Sequence, residues 1–140
     1  NVEEGSAKSG RPRLGVSLAT SAFVIAGKTK DDVERAKGAV RQQIAFYAST
    51  RTYSGVLEAH GWGETCFRLS EKAAKGDWTG MASLITDEML EVYALEGPLE
   101  ALPDLVKRKY AGVLDRLSFY SPIRPGADDE TWRRLIAACR

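Results

Sequence analysis

The feature that most constrains this chain is an uncharged run from Val16 to Ala26 that leads directly into a long amphipathic segment ending near Tyr53. Val16, Leu18, Ala19, Ala22, Phe23, Val24, Ile25 and Ala26 fill the run, and Gly15 and Gly27 bound it. A short, nearly continuous apolar stretch between glycines predicts a strand covered on both faces, as in parallel sheets. Beyond Gly27, Thr29-Lys30-Asp31-Asp32 supplies a capping threonine with an acid three residues on, a capping box in which Asp32 replaces the usual Glu or Gln. Val33, Ala36, Val40, Ile44 and Tyr47 then recur at steps of three and four, which predicts one buried helical face. Asp31, Asp32 and Glu34 come early and Arg35, Lys37 and Arg41 later, in keeping with the helix dipole. A strand, loop and helix in this order make half of a β/α repeat. Such a unit needs neighbours on either side.

The remaining segments are read against that unit. Asn1 to Gly10 predicts a helix tail with a glycine cap, and Arg11-Pro12-Arg13 a short connection. Ser49 to Ser54 is polar and loop-like, and Val56 to His60 predicts a turn of helix interrupted by Gly61-Trp62-Gly63. From Glu64 a helix carrying Phe67, Leu69 and Ala73 runs to Gly76. Asp77 caps a further helix whose stripe is Trp78, Met81, Leu84, Ile85, Met89 and Val92, with Trp78, Met81 and Met89 expected in the core. Gly97-Pro98 punctuates, and Leu102, Leu105, Val106 and Tyr110 mark a helix that begins or kinks at Pro103. Leu117 to Tyr120 predicts a second strand, stopped by Pro122, and Asp129 to Cys139 a last helix with Trp132, Leu135 and Ile136 inward.

Composition limits what this arrangement can do. A length of 140 residues suffices for one domain with a modest core, and 44% hydrophobic with 28% charged residues is the balance of a soluble globular protein. Twenty basic against nineteen acidic residues leave a net charge of +1, which argues against nucleic acid or a membrane surface as an obligate partner. No apolar run approaches the about 20 residues of a membrane span, and no signal peptide is recognisable. Cys66 and Cys139 stand far apart beside a single histidine, a pattern of reduced thiols in a cytoplasmic protein rather than of a zinc site. The chain shows no glycine-rich phosphate loop, HExxH or GxSxG. Asp31-Asp32 and Asp128-Asp129 fall at helix starts, where capping explains them.

Longer stretches carry a family likeness. SAFVIAGKTKDDVERAKGAVRQQIAFYASTRTYSGVLEAHGWGE, from Ser21, and RLSEKAAKGDWTGMASLITDEMLEVYALEGPLEALPDLVKRKYAGVLDRLSFYSP, to Pro122, resemble the C-terminal part of luciferase-like monooxygenases. The deazaflavin (coenzyme F420)-dependent oxidoreductases are the most similar type. The most specific pieces are RQQIAFYAST (Arg41 to Thr50), ITDEML (Ile85 to Leu90) and the spacing of Gly97, Tyr110, Asp115-Arg116 and Tyr120; WRRLIAAC (Trp132 to Cys139) fits as well. Pro103 departs from a position that usually carries an ordinary helix former.

This resemblance implies an α/β fold, the C-terminal part of a (β/α)8 TIM barrel, with about two parallel strands and several helices. A complete barrel takes about 250 residues, so the chain is expected to be an incomplete barrel and a piece of a longer polypeptide. As a single segment, 1–140, it divides into the end of a preceding helix (1–13), strand seven (14–27), a helical excursion (29–110), strand eight (116–121) and a closing helix (128–140). With one face of the strand pair uncovered, a homo-oligomer or association through exposed strand edges is expected.

Function follows from the same resemblance. It implies hydride transfer between coenzyme F420, or alternatively the flavin FMN, and a small organic substrate, with no metal. The coenzyme carries the chemistry and the protein orients it. Barrel sites gather at the C-terminal ends of strands, which points to Ile25 to Lys28 and to Tyr120 to Pro122, with Tyr120 and Ser121 as coenzyme contacts. Lys28 is either a phosphate contact or a solvated lysine. Ser49 to Trp62 resembles the mobile region over the pocket, with Tyr53, His60 and Trp62 as lid or substrate-pocket residues. Each has a plainer alternative: Tyr53 packed with its hydroxyl in water, His60 bonding a helix-end carbonyl, and Trp62 anchoring the loop. A second reading of the whole chain is a non-catalytic helical interaction module.

Overall fold

Where strand β1 (Ala19–Ile25) gives way to a helix, the chain turns so tightly that Gly27 has no room for a side chain. A Cβ there would press on the Asp32 side chain and lie 3.0 Å from the Val33 nitrogen. Thr29 caps the helix that follows: the Asp32 amide donates to its Oγ1 at 3.1 Å, and Asp32 Oδ2 accepts from the Thr29 amide at 3.0 Å. The expected capping box is thus formed, with aspartate in the reciprocal position.

The computed structural model describes residues 2–121, 126 and 128–139. In chain order its elements are α1 (Val2–Ser9), β1, α2 (Lys30–Ala48), α3 (Ser54–Glu58), α4 (Gly63–Ala74), α5 (Trp78–Ala82), α6 (Asp87–Tyr93), β2 (Ala94–Glu96), α7 (Leu102–Tyr110), β3 (Arg116–Tyr120) and α8 (Asp129–Ala138). Short 3-10 turns occupy Arg13–Gly15, Arg51–Tyr53 and Leu99–Ala101. β1 runs parallel to β2, with Phe23 opposite Ala94 and Ile25 opposite Glu96, and the sheet order is β2-β1-β3. The fold is mixed α/β with a small parallel sheet, as expected.

The chain divides into two compact units: residues 1–22 with 103–140, and residues 23–102. The second unit holds the main core, in which Ile25, Ala45, Leu69, Met81 and Leu90 are fully enclosed. Burying one large aliphatic side chain stabilises a fold by about 1.5–3 kcal/mol, and Val40, Ile44, Leu57, Ile85 and Met89 enlarge the same cluster. In the first unit, Asp115 fastens the start of β3 to the entry of β1. Its Oδ2 accepts from the Leu18 amide at 2.7 Å and pairs with Arg13 at 3.2 Å. Phe119 packs on Trp132 of α8 at 5.7 Å between ring centres, and Leu135 is buried.

Several expectations are corrected. The strand expected over 14–27 spans Ala19–Ile25, because Arg13–Gly15 closes a 3-10 turn through the Gly15 amide and the Pro12 carbonyl. Its first three residues are exposed, so only the C-terminal half is covered on both faces. The uncovered residues there are Ala19, Thr20 and Ser21, whereas Val24 and Ile25 are both buried. The helical excursion 29–110 contains a third strand, β2, too short to show a period and lodged between a helix and Gly97-Pro98.

The single helix expected after Asp77 is two. Asp77 caps α5 through the Gly80 amide, and Thr86 caps α6 through the Met89 amide. The chain therefore restarts between them, and Trp78 stays 48% exposed while Met81 and Met89 are buried. Phe67 is likewise exposed, because Cys66, Leu69 and Ala73 form the inward face of α4. Ile136 is 46% exposed beside buried Leu135. Pro103 lies in the first turn of α7, where its missing amide costs the helix no bond. The expected Pro122 stop and the outermost residues 1 and 140 lie outside the described residues.

Candidate functional site

The C-terminal end of β2, an edge strand, carries Glu96, the one acidic side chain in β1, β2 and β3. Glu96, opposite Ile25, accepts from Lys37 Nζ of α2 at 3.0 Å, and the Gly97 amide donates to the Ile25 carbonyl at 3.1 Å. Lys37 also reaches Asp87 at 3.3 Å, and Asp87 is shared with Arg41. The hydrogen bond that Lys37 donates to Glu96, reinforced by Asp87, raises the Lys37 pKa above the ordinary lysine range. Lys37 therefore stays protonated at neutral pH and fastens α2 to β2 and α6. Its engagement suits a structural clamp more than proton transfer.

In the same unit, the segment from Ser54 to Trp62 carries an aromatic cluster. Leu57 is buried and roots α3, and the backbone then reverses at Gly61, whose φ is +78°. The Trp62 amide donates back to the Leu57 carbonyl at 2.9 Å, which closes the end of the turn. That closure brings His60 and Trp62 into a stack, with ring centres 4.9 Å apart and planes 22° from parallel. Tyr93, the last residue of α6, places its edge against both, at 5.9 Å from His60 and 5.9 Å from Trp62. Its hydroxyl donates to the Val56 carbonyl at 3.4 Å, and partial burial pushes the phenol pKa up. Trp62 and Tyr93 both pack against the main core. His60 and Trp62 are thus brought together, while Tyr53, 49% exposed at the end of a 3-10 turn, stands outside this cluster.

The first unit places Tyr120 at the end of β3 and Ser121 just beyond it. Alternation along the strand exposes Arg116, Ser118 and Tyr120 and half-buries Leu117 and Phe119. Ser118 Oγ lies 2.7 Å from Ser21 Oγ of β1, so this face of the strand pair is hydroxyl-rich. Neutral hydroxyls of this kind can bond the edge of a heteroaromatic ring or a polyol chain; they lack the charge a phosphate calls for. Arg116 stands on the same face at the start of β3, and towards Tyr120 and Ser121 the donors are neutral hydroxyls, a set that fits the ring or sugar-alcohol portion of a flavin-type coenzyme.

Sequence reasoning missed Tyr93 and Glu96. Both depend on β2, which fixes where α6 ends. The available signal was the Tyr-Ala-Leu-Glu run before Gly97-Pro98, an abrupt halt to helical spacing. Among the described residues no group of His, Cys, Asp and Glu could hold a metal ion, and no helix is long and apolar enough to cross a membrane.

Comparison with known proteins gives a consistent set of likenesses. The family description "Luciferase-like monooxygenase" matches residues 1–116. An uncharacterized protein of Mycobacterium tuberculosis is 38% identical over 113 residues, covering 81% of this chain and 33% of the relative, and a Mycobacterium bovis protein matches equally. A 5,10-methylenetetrahydromethanopterin reductase of Archaeoglobus fulgidus is 30% identical over 131 residues, covering 89% of this chain and 38% of the relative. The chain thus spans only 33% to 38% of the length of these relatives. No solved structure matches it significantly.

Proposed function

The chain belongs to the luciferase-like monooxygenase family, and from that premise we propose that it is the C-terminal part of a longer oxidoreductase that moves a hydride between a deazaflavin or flavin coenzyme and a small organic substrate. The observation that carries this reading is the family match over residues 1–116, together with a relative named as a reductase. Coenzyme F420 is the preferred coenzyme, with FMN the alternative; when bound, it supplies the hydride chemistry. Tyr120 and Ser121 hydrogen-bond its ring or polyol portion. Tyr53, His60 and Trp62 belong to a segment that covers the substrate and keeps water out.

On this reading the 140 residues alone are inactive, because most ring and phosphate contacts belong to the rest of the enzyme. The enzyme acts in the cytoplasm on small molecules, without nucleic acid or membrane.

The test is turnover by the intact polypeptide. Reduced F420 and reduced FMN are each supplied with a panel of small imines, enones and carbonyl compounds, and coenzyme oxidation is followed by absorbance under anaerobic conditions, then in air. Substrate-dependent oxidation of one coenzyme is expected. Oxidation no faster than in buffer with either coenzyme would remove the proposal and leave the helical interaction module as the better reading.

A further inference from the structure

Tyr93 joins the aromatic segment to the sheet. It closes α6, and the next residue, Ala94, opens β2 opposite Phe23 of β1. Its ring edge meets both members of the His60–Trp62 stack, and its hydroxyl meets the Val56 carbonyl on α3. Ring centres 4.9 to 5.9 Å apart are in direct contact, since aromatic pairs pack at about 4.5–7 Å. No flat ligand can enter between these rings. Trp62 is also held from behind, by the bond from its amide to the Leu57 carbonyl and by the core. Tyr53 differs: it is half exposed and makes no ring contact among the described residues.

We propose that Tyr93 is a positioning residue that pins the His60–Trp62 stack to the sheet, leaving Tyr53 as the ring of this segment that touches a small, partly apolar substrate. This rests on the covering role assigned above to the segment. It divides that role: one end of the segment is preset by packing, and the exposed phenol at the other end makes the contact. Pinning one end restricts where the phenol can reach, which lowers the ordering cost when substrate binds.

Two experiments separate the parts. The first is hydrogen exchange on the 140-residue chain carrying Tyr93→Leu or Tyr93→Phe. The Gly61 and Trp62 amides, bonded to the Glu58 and Leu57 carbonyls, should exchange about tenfold faster in Tyr93→Leu, and near the wild-type rate in Tyr93→Phe, which keeps the ring. Unchanged exchange in Tyr93→Leu would overturn the pinning role. Should Tyr93→Leu also loosen the core amides of Leu69 and Leu90, Tyr93→Met, whose longer unbranched chain fills irregular space without a ring, is judged by the same comparison.

The second is steady-state kinetics of the intact enzyme. Tyr53→Ala should raise KM about tenfold with kcat kept, while Tyr93→Leu changes both and Tyr93→Phe restores them. A Tyr53→Ala enzyme with wild-type KM would overturn the contact role. If no coenzyme supports turnover at all, the covering role itself fails, and the exchange experiment still decides whether Tyr93 pins the stack.

Discussion

Replacing Ile25 by alanine tests the junction on which the fold depends. Ile25 is fully enclosed at the end of β1, and its carbonyl accepts from the Gly97 amide at 3.1 Å. Three side-chain carbons are removed, about 0.8 kcal/mol each, so transfer alone accounts for about 2.4 kcal/mol. Phe23, Val24 and Ile25 are held in register with β2, so the strand end cannot sink into the void. A cavity contribution then brings the loss to about 3–5 kcal/mol. Leu14, 97% exposed, provides the control: Leu14→Ala should change stability by no more than about 0.5 kcal/mol. Urea unfolding measures both. With a slope of about 1–3 kcal/mol per molar, the Ile25→Ala midpoint should fall by at least about 1 M. Equal midpoints for the two variants at an unchanged slope would refute the placement of Ile25 in the core.

Other expectations follow from particular contacts. Thr29→Ala removes the capping oxygen of α2 and should cost about 0.5–2 kcal/mol in the same assay, with Thr29→Ser close to wild type. Asp32, Asp77 and Asp115 titrate below the usual carboxylate range, owing first to the Thr29 hydroxyl, Lys72 and the Leu18 amide respectively. Each folded pKa lies below its unfolded value, so the stabilisation is full above about pH 4 and lost as pH falls through the folded values. Urea midpoints between pH 6 and pH 2 should drop on that side, and Asp115→Asn should flatten the drop; a parallel curve would contradict it. Phe46 and Trp78, 51% and 48% exposed and in ring contact, should drive concentration-dependent association that Phe46→Ser with Trp78→Ser reduces in light scattering. In the intact enzyme, His60→Ala and Trp62→Ala should lower turnover or raise KM about tenfold, about 1.4 kcal/mol; lower melting temperature with wild-type kinetics would make both purely structural.

The local rules were legible where one interaction dominates. Thr29 to Asp32 announced a capped helix because the cap is made entirely of neighbours in sequence. Val40 and Ile44 announced its buried face for the same reason. What stayed hidden depends on distant partners. The exposure of Ala19 to Ser21 depends on what covers the strand, not on its own residues. β2 owes its existence to pairing with Phe23 to Ile25, and three residues carry no period of their own. Thr86 could have been read as a second cap, but the stripe from Met81 to Met89 continues across it and hides the break. At the candidate site, His60 and Trp62 stood out as residues, whereas their stacking on Tyr93 requires α6 to end where β2 begins.

The central claim is that this chain serves a coenzyme-binding oxidoreductase, and equilibrium binding tests it most directly. The intact polypeptide is titrated with oxidised F420 and with FMN, followed by ligand fluorescence, beside the 140-residue chain alone. Saturable binding of F420 by the intact polypeptide is predicted, weakened about tenfold by Tyr120→Phe combined with Ser121→Ala, with no tight binding by the 140 residues. Saturation with FMN instead would exchange the coenzyme and keep the claim. An intact, folded polypeptide that binds neither would contradict it.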